Sequence, residues 1–246
     1  MHGNHVGSRP RRRWLISLLA VVAVLGGGAV PASADSTGAA LRDFDAVTTV
    51  NERNVWKHMA LIGDQYAIYN DLRLIEGPAS IRQKWPFLPE QFTHDVDSAG
   101  ISFSGPGFRW RHTWTKGNQA IVFEDSGIIS GPFAIPTPYD GISDLNIGSG
   151  PTARVRHFAV RGGLFTFFDG LNFTIPTARL ADQAFLPERF KSDLDDVSLE
   201  IENSEPTKFS YYKDNERLIF GSGGRIIELV NLDVKWPFLN SWRTIT

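Results

Sequence analysis

The stretch that decides the fold is Phe87-Leu88-Pro89-Glu90-Gln91-Phe92-Thr93-His94-Asp95-Val96-Asp97, which returns as Phe185-Leu186-Pro187-Glu188-Arg189-Phe190-Lys191-Ser192-Asp193-Leu194-Asp195. The second copy lies 98 positions after the first and aligns with it without a gap. The acidic end recurs more often, because Asp43-Phe44-Asp45, Asp95-Val96-Asp97, Asp144-Leu145-Asn146 and Asp193-Leu194-Asp195 start 52, 49 and 49 residues apart. This spacing predicts four units of about 50 residues, a period typical of solenoids and propellers.

Each unit also contains a block that begins with a basic residue. A turn starts six residues after this basic residue, and an aromatic residue follows it by twelve. The blocks cover residues 57–69, 111–123, 156–168 and 208–220, and their turns are Gly63-Asp64, Gly117-Asn118, Gly162-Gly163 and Asp214-Asn215. Residues of these types tolerate the positive φ that tight hairpin turns require. The flanks are rich in aromatic and β-branched residues, so each block is predicted to be a β-hairpin.

A further strand is expected before each hairpin, at residues 46–50, 98–103, 147–149 and 197–201, and a weaker fourth strand after it. Three or four strands repeated four times predict an all-β, four-bladed propeller at 43–246 with short connecting helical turns. The predicted blades cover about 43–92, 93–142, 143–190 and 191–242. The rival fold is an open β-sandwich, which gives no reason for the four-fold period.

The first 34 residues have the features of a secretory signal. Arg9, Arg11, Arg12 and Arg13 precede an apolar run from 14 to 25, and Ala32-Ser33-Ala34 fits a cleavage site. The run is shorter than the roughly 20 apolar residues that a membrane span requires. We therefore expect a secreted, monomeric product with an N-terminal segment at 35–42 and no membrane span; the sequence does not separate general from twin-arginine export.

Charge and composition exclude some classes of partner. The chain has 25 basic and 27 acidic residues, and four of the basic ones belong to the predicted signal, which leaves a net charge of −6. Nucleic-acid-binding proteins carry a basic footprint instead, so no nucleic-acid partner is expected. The chain has no cysteine, so packing alone must hold the fold together.

These motifs resemble the hemopexin-like repeat family. Lys57, Gly63-Asp64-Gln65-Tyr66 and Tyr69 resemble the central hairpin of that repeat, and Ile81, Trp85-Pro86 and Leu88-Pro89 its linker helix. Asp45-Ala46-Val47 resembles the start of its inner strand. The resemblance spans residues 43–242 and implies a single four-bladed propeller of an exported, bacterial type. Animal members usually join the first and fourth blades by a disulfide, so here closure must depend on residues 236–242 and the segment before Asp43.

The resemblance also implies an ion site at the channel mouth. The main-chain carbonyls of Asp45, Asp97, Asn146 and Asp195 would hold a structural Ca²⁺ or Na⁺, since hard cations prefer oxygen ligands. The alternative is that these side chains cap turns by accepting backbone N–H groups.

Three histidines occupy the same place in successive units. His58, His112 and His157 align with Phe209, and because Phe is accepted there we interpret the position as a packing site between blades. The haem carrier of the resembled family uses two propellers, which argues against haem as a cofactor in this single-propeller chain.

Signals for catalysis are weak. The sequence contains no Gly-x-Ser-x-Gly, His-Glu-x-x-His or Gly-x-x-x-x-Gly-Lys motif. Phe108, Trp110, Trp114 and Tyr139 form either a ligand platform or inter-blade core. We predict a non-catalytic binding module that engages a protein or surface polymer through a propeller face. The alternative is a haem or metal carrier, or an enzyme, that uses the channel mouth.

Overall fold

Four antiparallel sheets of four strands follow one another along the chain in the computed structural model. The structure describes residues 43–52, 55–104, 109–147, 154–202, 205–221 and 223–244. The predicted signal at 1–34 and the segment at 35–42 lie outside the described residues. The first strands of the four sheets contact one another around a common axis, so the sheets are the blades of a four-bladed β-propeller, as the repeat predicts.

Blades 1 and 2 each have four full-length strands. They are β1 (Ala46–Glu52), β2 (Val55–Ile62), β3 (Gln65–Tyr69) and β4 (Leu74–Ser80), followed by β5 (Ser98–Ser104), β6 (Arg109–Lys116), β7 (Gln119–Glu124) and β8 (Gly127–Ala134). In both sheets the strands pair in chain order, from the axis outwards.

Blades 3 and 4 have the same order, but their outer strands differ. They comprise β9 (Gly141–Ile147), β10 (Arg154–Arg161), β11 (Leu164–Asp169) and β12 (Ala178–Arg179), then β13 (Asp196–Glu202), β14 (Glu205–Lys213), β15 (Glu216–Gly221) and β16 (Ile226–Asn231). The outer strand of blade 3 has only two residues, whereas its counterpart in blade 4 has six. Blade 3 therefore has the shortest outer strand of the four.

The predicted hairpins lie in the middle of every blade. Each joins the second strand to the third through a turn residue with positive φ, and these are Gly63 (58°), Gly117 (54°), Gly162 (56°) and Asp214 (53°). Glycine takes this conformation without steric cost, and Asp is among the few other residues that adopt it.

Three of the four predicted inner strands are confirmed, and the third is wrong. Residues 46–50, 98–103 and 197–201 lie within β1, β5 and β13. The third was placed at 147–149, but β9 ends at Ile147, and the boundary placed at 143 falls inside this strand. Asp144-Leu145-Asn146 imitates the acidic element in sequence while lying inside the strand rather than at its entrance.

The Phe-Leu-Pro stretches connect the blades. Pro89 and Pro187 directly precede 3-10 turns at Glu90–Phe92 and Glu188–Phe190, as the fixed φ of proline favours. Phe92 and Phe190 are fully buried, so each turn fastens its connector between two blades. Helix α1 (Ile81–Lys84) precedes the first connector, and α2 (Leu232–Lys235) and α3 (Asn240–Arg243) follow the last blade.

The core is divided into four clusters, one for each pair of adjacent blades. Each contains a large, fully buried aromatic side chain: Trp114 between blades 1 and 2, Tyr139 between blades 2 and 3, Phe190 between blades 3 and 4, and Trp236 between blades 4 and 1. Of the helices that the structure describes, none has the length and apolar character to cross a membrane.

Candidate functional site

An aspartate at the entrance to each inner strand caps the hairpin turn of its own blade. The carboxylates accept backbone N–H groups from Gly63 to Asp45 (2.6 Å), Gly117 to Asp97 (2.6 Å), Gly162 to Asp140 (2.6 Å) and Asp214 to Asp195 (2.5 Å). Such bonds satisfy turn donors that would otherwise be unpaired. The side chains at the channel mouth therefore act as caps.

Asn146 does not belong with the other three residues of the predicted ion site. It lies near the end of β9, where its Nδ2 donates to the carbonyl oxygen of Phe103 at 3.0 Å, and Asp140 takes its place at the mouth. No group of three or more His, Asp or Glu side chains within the described ranges is arranged to hold a metal ion. An ion here would depend on main-chain carbonyls, and it stays a prediction.

A buried carboxyl group lies just inside this mouth. Asp196 accepts the backbone N–H of Val47 from blade 1 at 2.6 Å and that of Val197 at 2.7 Å. A Cβ on Gly141 of blade 3 would lie 2.7 Å from Asp196 Oδ1, so only glycine fits there. Burial raises the pKa of Asp196 well above its usual value, against the effect of these N–H donors. Asp196 thus joins blades 1, 3 and 4 at the axis.

The equivalent histidines are buried between blades, as the packing interpretation requires. His58, His112 and His157 have 1 %, 1 % and 2 % of their surface exposed. They pair across the sheet with Thr49, Ile101 and Asp144 of the inner strands. Their hydrogen bonding differs, however, and this difference separates one closed seam from two open clefts.

The seam between blades 4 and 1 is closed over His58. Its Nδ1 lies 2.9 Å from Thr49 Oγ1, and its Nε2 lies 3.3 Å from a carboxylate oxygen of Asp71. Trp236 from the C-terminal segment covers the ring at a centroid distance of 4.9 Å. Burial lowers the pKa of His58 to about 4, although Asp71 opposes the shift. Nδ1 is thus hydrogen-bonded, while Nε2 lies beside a carboxylate without hydrogen-bond geometry.

The cleft between blades 1 and 2 is open and contains a cavity of about 420 Å³. Trp85, Trp110 and His112 supply its aromatic surface, and Ile68 and Ile75 its aliphatic surface. Its charged residues are Glu52, Glu76, Glu124 and Asp125 together with Lys57, Lys84 and Arg109. Small-ligand sites combine aromatic surface with fixed polar groups, and this cleft has both, with more charged residues than most.

Hydrogen bonds across the two blades hold the indole rings of this cleft. Trp110 is half-buried, and its Nε1 donates to Glu52 Oε2 at 3.1 Å, while Lys57 Nζ donates to the same oxygen at 2.8 Å. Trp85 is buried, and its Nε1 donates to Asp125 Oδ1 at 2.8 Å. The rings are thus fixed in orientation before any ligand arrives.

His112 lies in the wall of this cleft with both ring nitrogens unsatisfied. Neither nitrogen has a hydrogen-bond partner among the residues that the structure describes. Its ring stacks on Phe123 at 4.7 Å and meets Trp85 edge-on at 5.2 Å. Burial lowers its pKa to about 4, so at neutral pH the ring offers one donor and one acceptor. An unpaired buried polar group of this kind costs about 1–3 kcal/mol.

The cleft between blades 3 and 4 is almost wholly aromatic, because Phe209 stands where the other blades have histidine. Its cavity of about 360 Å³ is lined by Phe158, Phe165, Phe167, Phe185, Phe209, Tyr211 and Phe220 with few polar groups. Phe209 stacks on Phe220 with an interplanar angle of 3° and a centroid distance of 5.2 Å.

The basic residue at the head of each hairpin is paired and not part of a positive ring. Lys57 pairs with Glu52 at 2.8 Å, Arg111 with Glu124 at 3.3 Å and Arg156 with Asp169 at 2.7 Å. In blade 4, Lys208 Nζ lies 5.4 Å from the ring centroid of Trp56. These residues support the blade surface.

Of the three proposed platform residues that the structure describes, only Trp110 has that position. Trp114 and Tyr139 are buried in the core, and Phe108 lies outside the described residues. Trp110 faces the cleft together with Glu52, which is 58 residues earlier in the chain. Sequence reasoning missed Glu52 and Asp125, and no local pattern indicates either of them.

No protein-family model matches the sequence, and no curated protein matches it by sequence. Solved structures do match the fold. A plant lectin with two metal-binding sites from Cicer arietinum superposes with a TM-score of 0.62 at 14 % identity, covering 83 % of this chain and 100 % of its own. A hemopexin fold protein from cow pea superposes with a TM-score of 0.61 at 12 % identity, covering 83 % of this chain and 100 % of its own. A plant albumin from Cicer arietinum that shows hemagglutination superposes with a TM-score of 0.62 at 14 % identity, covering 81 % of this chain and 97 % of its own. The chain therefore has the hemopexin fold.

Proposed function

We propose that this protein is an exported, non-catalytic binding module that holds a glycan chain of a surface polymer in the cleft between blades 1 and 2. The observation that carries the proposal is the half-buried indole of Trp110, fixed by Glu52 beside a cavity of about 420 Å³. A sugar ring has an apolar C–H face and a rim of hydroxyl groups. It therefore requires both an aromatic surface and fixed hydrogen-bonding groups.

The charged residues of the cleft fit the hydroxyl rim. Glu52 is held by Lys57, and Glu76 accepts from Lys84 Nζ at 2.6 Å, so these carboxylates are oriented acceptors. Hydrogen bonds to charged groups are roughly twice as strong as neutral ones. His112, neutral at pH 7 with an unused donor and acceptor, matches a hydroxyl group or a bridging water at the back of the cleft.

The fold neighbours agree with this proposal in kind. One is described as a lectin and another as an albumin that shows hemagglutination. At 14 % identity the likeness extends to the fold.

The alternative function at the channel mouth is less well supported. An enzyme or carrier site there would require carboxylates that are available to a substrate. Instead the entrance aspartates Asp45, Asp97, Asp140 and Asp195 accept backbone N–H groups. Asp196 behind them does the same.

The test is retention of the purified protein on insoluble chitin, cellulose and peptidoglycan. We expect one of them to retain the protein, and Trp110→Ala to weaken that retention at least tenfold. The matched control is Trp56→Ala, because Trp56 occupies the same strand position in blade 1 but lies outside the cleft, beside Lys208. No retention on any polysaccharide, or equal losses in both variants, would contradict the proposal.

Export is tested separately. The protein recovered from culture medium is expected to begin at Asp35, which mass spectrometry of the intact chain measures directly. A protein that remains inside the cell with residues 1–34 attached would contradict export without bearing on the cleft.

A further inference from the structure

The cleft between blades 2 and 3 holds a second cavity, of about 520 Å³, whose lining differs from that of the first. Its lining includes the polar side chains of Arg111, Arg154, His157 and Asp169 and the apolar side chains of Val122, Ile129 and Leu171. Arg111 belongs to blade 2, and Arg154 and His157 to blade 3. Among the described residues, none lines both this cavity and the first.

The two arginines hold their protein partners only weakly. Arg154 is 68 % exposed, and its Nη1 is 3.8 Å from Asp169, beyond hydrogen-bond distance. Asp169 is already bound by Arg156 through Nε at 2.7 Å and Nη2 at 3.2 Å. Arg111 donates to Glu124 through Nη2 at 3.3 Å. Both guanidinium groups thus retain N–H donors for a ligand.

Arg111 adds a second sign of an unfilled site. Its Nε is buried and has no hydrogen-bond partner in the part of the chain that the structure describes. A guanidinium group binds a carboxylate best through two parallel N–H donors, and Nε with Nη2 forms one such pair.

His157 is fixed so that one nitrogen remains for the cavity. Its Nδ1 lies 2.7 Å from Asp144 Oδ1, and the other oxygen of Asp144 accepts from Thr113 Oγ1 at 2.7 Å. The ring stacks on Phe168 at 4.7 Å, so it cannot turn without losing both contacts. Nε2 is the nitrogen left to a ligand, although the side chain is only 3 % exposed.

The apolar side chains that line this cavity are partly open to solvent. Ile129 and Leu171 are 48 % and 54 % exposed at residues that line the cavity, and Val122 behind them is buried. Apolar side chains beside two arginines suit a ligand that has a hydrophobic body and a negative end.

We propose that this cleft is a binding site for a small organic carboxylate with an apolar body. The carboxylate pairs with Arg111 and Arg154, its second hydrogen-bonding group meets His157 Nε2, and the apolar body lies against Ile129 and Leu171. The cavity volume lies within the range of sites for ligands of drug size.

The experiment is an NMR titration of the isotope-labelled protein with benzoate and hexanoate, and with the uncharged benzamide and hexanamide. We expect each acid to bind at least tenfold more tightly than its amide, with shifts in the blade 2 and 3 signals. Arg154→Gln should remove that preference. Leu171→Glu should also weaken both acids by several fold, because it places a negative charge at an exposed position of the wall.

Arg109→Gln is the matched control. Arg109 has the same strand position in blade 2, is 66 % exposed, and lies 3.8 Å from Glu124, but it faces the cleft between blades 1 and 2. It should leave benzoate affinity unchanged. Equal affinity for acids and amides, equal losses in Arg109→Gln and Arg154→Gln, or phosphate binding as tight as benzoate binding would each overturn the proposal.

Discussion

The seam between blades 4 and 1 and the cleft between blades 1 and 2 are built on the same strand position, yet one is closed and the other open. In the seam, His58 is hydrogen-bonded through Nδ1, lies beside Asp71 at Nε2 and is covered by Trp236. In the cleft, His112 is equally buried but has no partner within the described residues. The two sites differ in the residue across the sheet, because Thr49 bonds to His58 whereas Ile101, opposite His112, has no polar side-chain atom.

The C-terminal segment performs the closure for which animal members of the resembled family use a disulfide. Trp242 Nε1 donates to Gln65 Oε1 of blade 1 at 2.8 Å, and the guanidinium of Arg243 lies 4.8 Å from the ring centroid of Phe44. Arg243 also donates to Asn215 of blade 4 at 2.7 Å. Packing and hydrogen bonds thus join the first blade to the last, as expected for residues 236–242. The contribution expected of the segment before Asp43 lies outside the described residues.

The largest effect is expected from Trp236→Ala. The side chain is 1 % exposed and contacts Tyr69 at a centroid distance of 4.8 Å, so its loss should cost about 3–5 kcal/mol of unfolding free energy. Urea denaturation measures the change. Trp110→Ala is the control at a half-buried indole and should cost clearly less. Equal costs for the two variants would mean that the seam does not close the propeller.

A smaller effect, confined to acid pH, is expected from His112→Phe, a residue that the chain itself uses at position 209. Burial lowers the folded-state pKa of His112 from 6.5 to about 4, so the unfolded chain binds a proton that the folded chain excludes. The stability of the fold is therefore unaffected by this group above about pH 6.5, and it falls as the pH drops from 6.5 towards 4, where the unfolded chain is protonated and the folded chain is not. The total is about 3 kcal/mol.

Urea titrations between pH 7.5 and pH 4 test this prediction. The variant should lose less stability than the parent chain over that range. If the variant and the parent chain lose the same stability between pH 7.5 and pH 4, His112 is protonated equally in the folded and unfolded states. That result would contradict a pKa lowered by burial.

The smallest effect concerns the axis, which both regions share. If main-chain carbonyls near Asp45, Asp97, Asp140 and Asp195 hold Ca²⁺ or Na⁺, the ion at ten times its dissociation constant should add about 1.4 kcal/mol. Differential scanning calorimetry with CaCl₂, NaCl or EDTA measures the shift in Tm. Identical melting curves in all three solutions would rule out the predicted site.

The sequence predicts the four repeats, the hairpins and the propeller because each of them depends on a local pattern. Each pattern combines a turn residue, an aromatic residue and a connecting segment at a regular spacing. The error at Asn146 shows the limit. The capping aspartate lies 18 residues before the turn in blade 1 (Asp45 and Gly63) but 22 residues before it in blade 3 (Asp140 and Gly162). The hydrogen bond requires the two groups to meet in space, and it does not require a constant number of residues between them. A constant period therefore selected the wrong residue in blade 3.

The clefts were not predictable for a related reason. Their walls come from adjacent blades, and the pairing of Trp110 with Glu52 or of Trp85 with Asp125 depends on how two sheets pack. The sequence of one repeat shows which residue occupies a given strand position, such as His112. It does not show which residues of the adjacent blade face that position.

The most direct test of the glycan cleft is a titration of the isotope-labelled protein with chito- and cello-oligosaccharides, followed through the indole N–H signals. One series should shift the signals of Trp110 and Trp85 and leave those of Trp56 and Trp236 in place, because only the first pair lines the cleft. Shifts at Trp56 or Trp236 with none at Trp110, or no shift in any indole signal, would contradict the account.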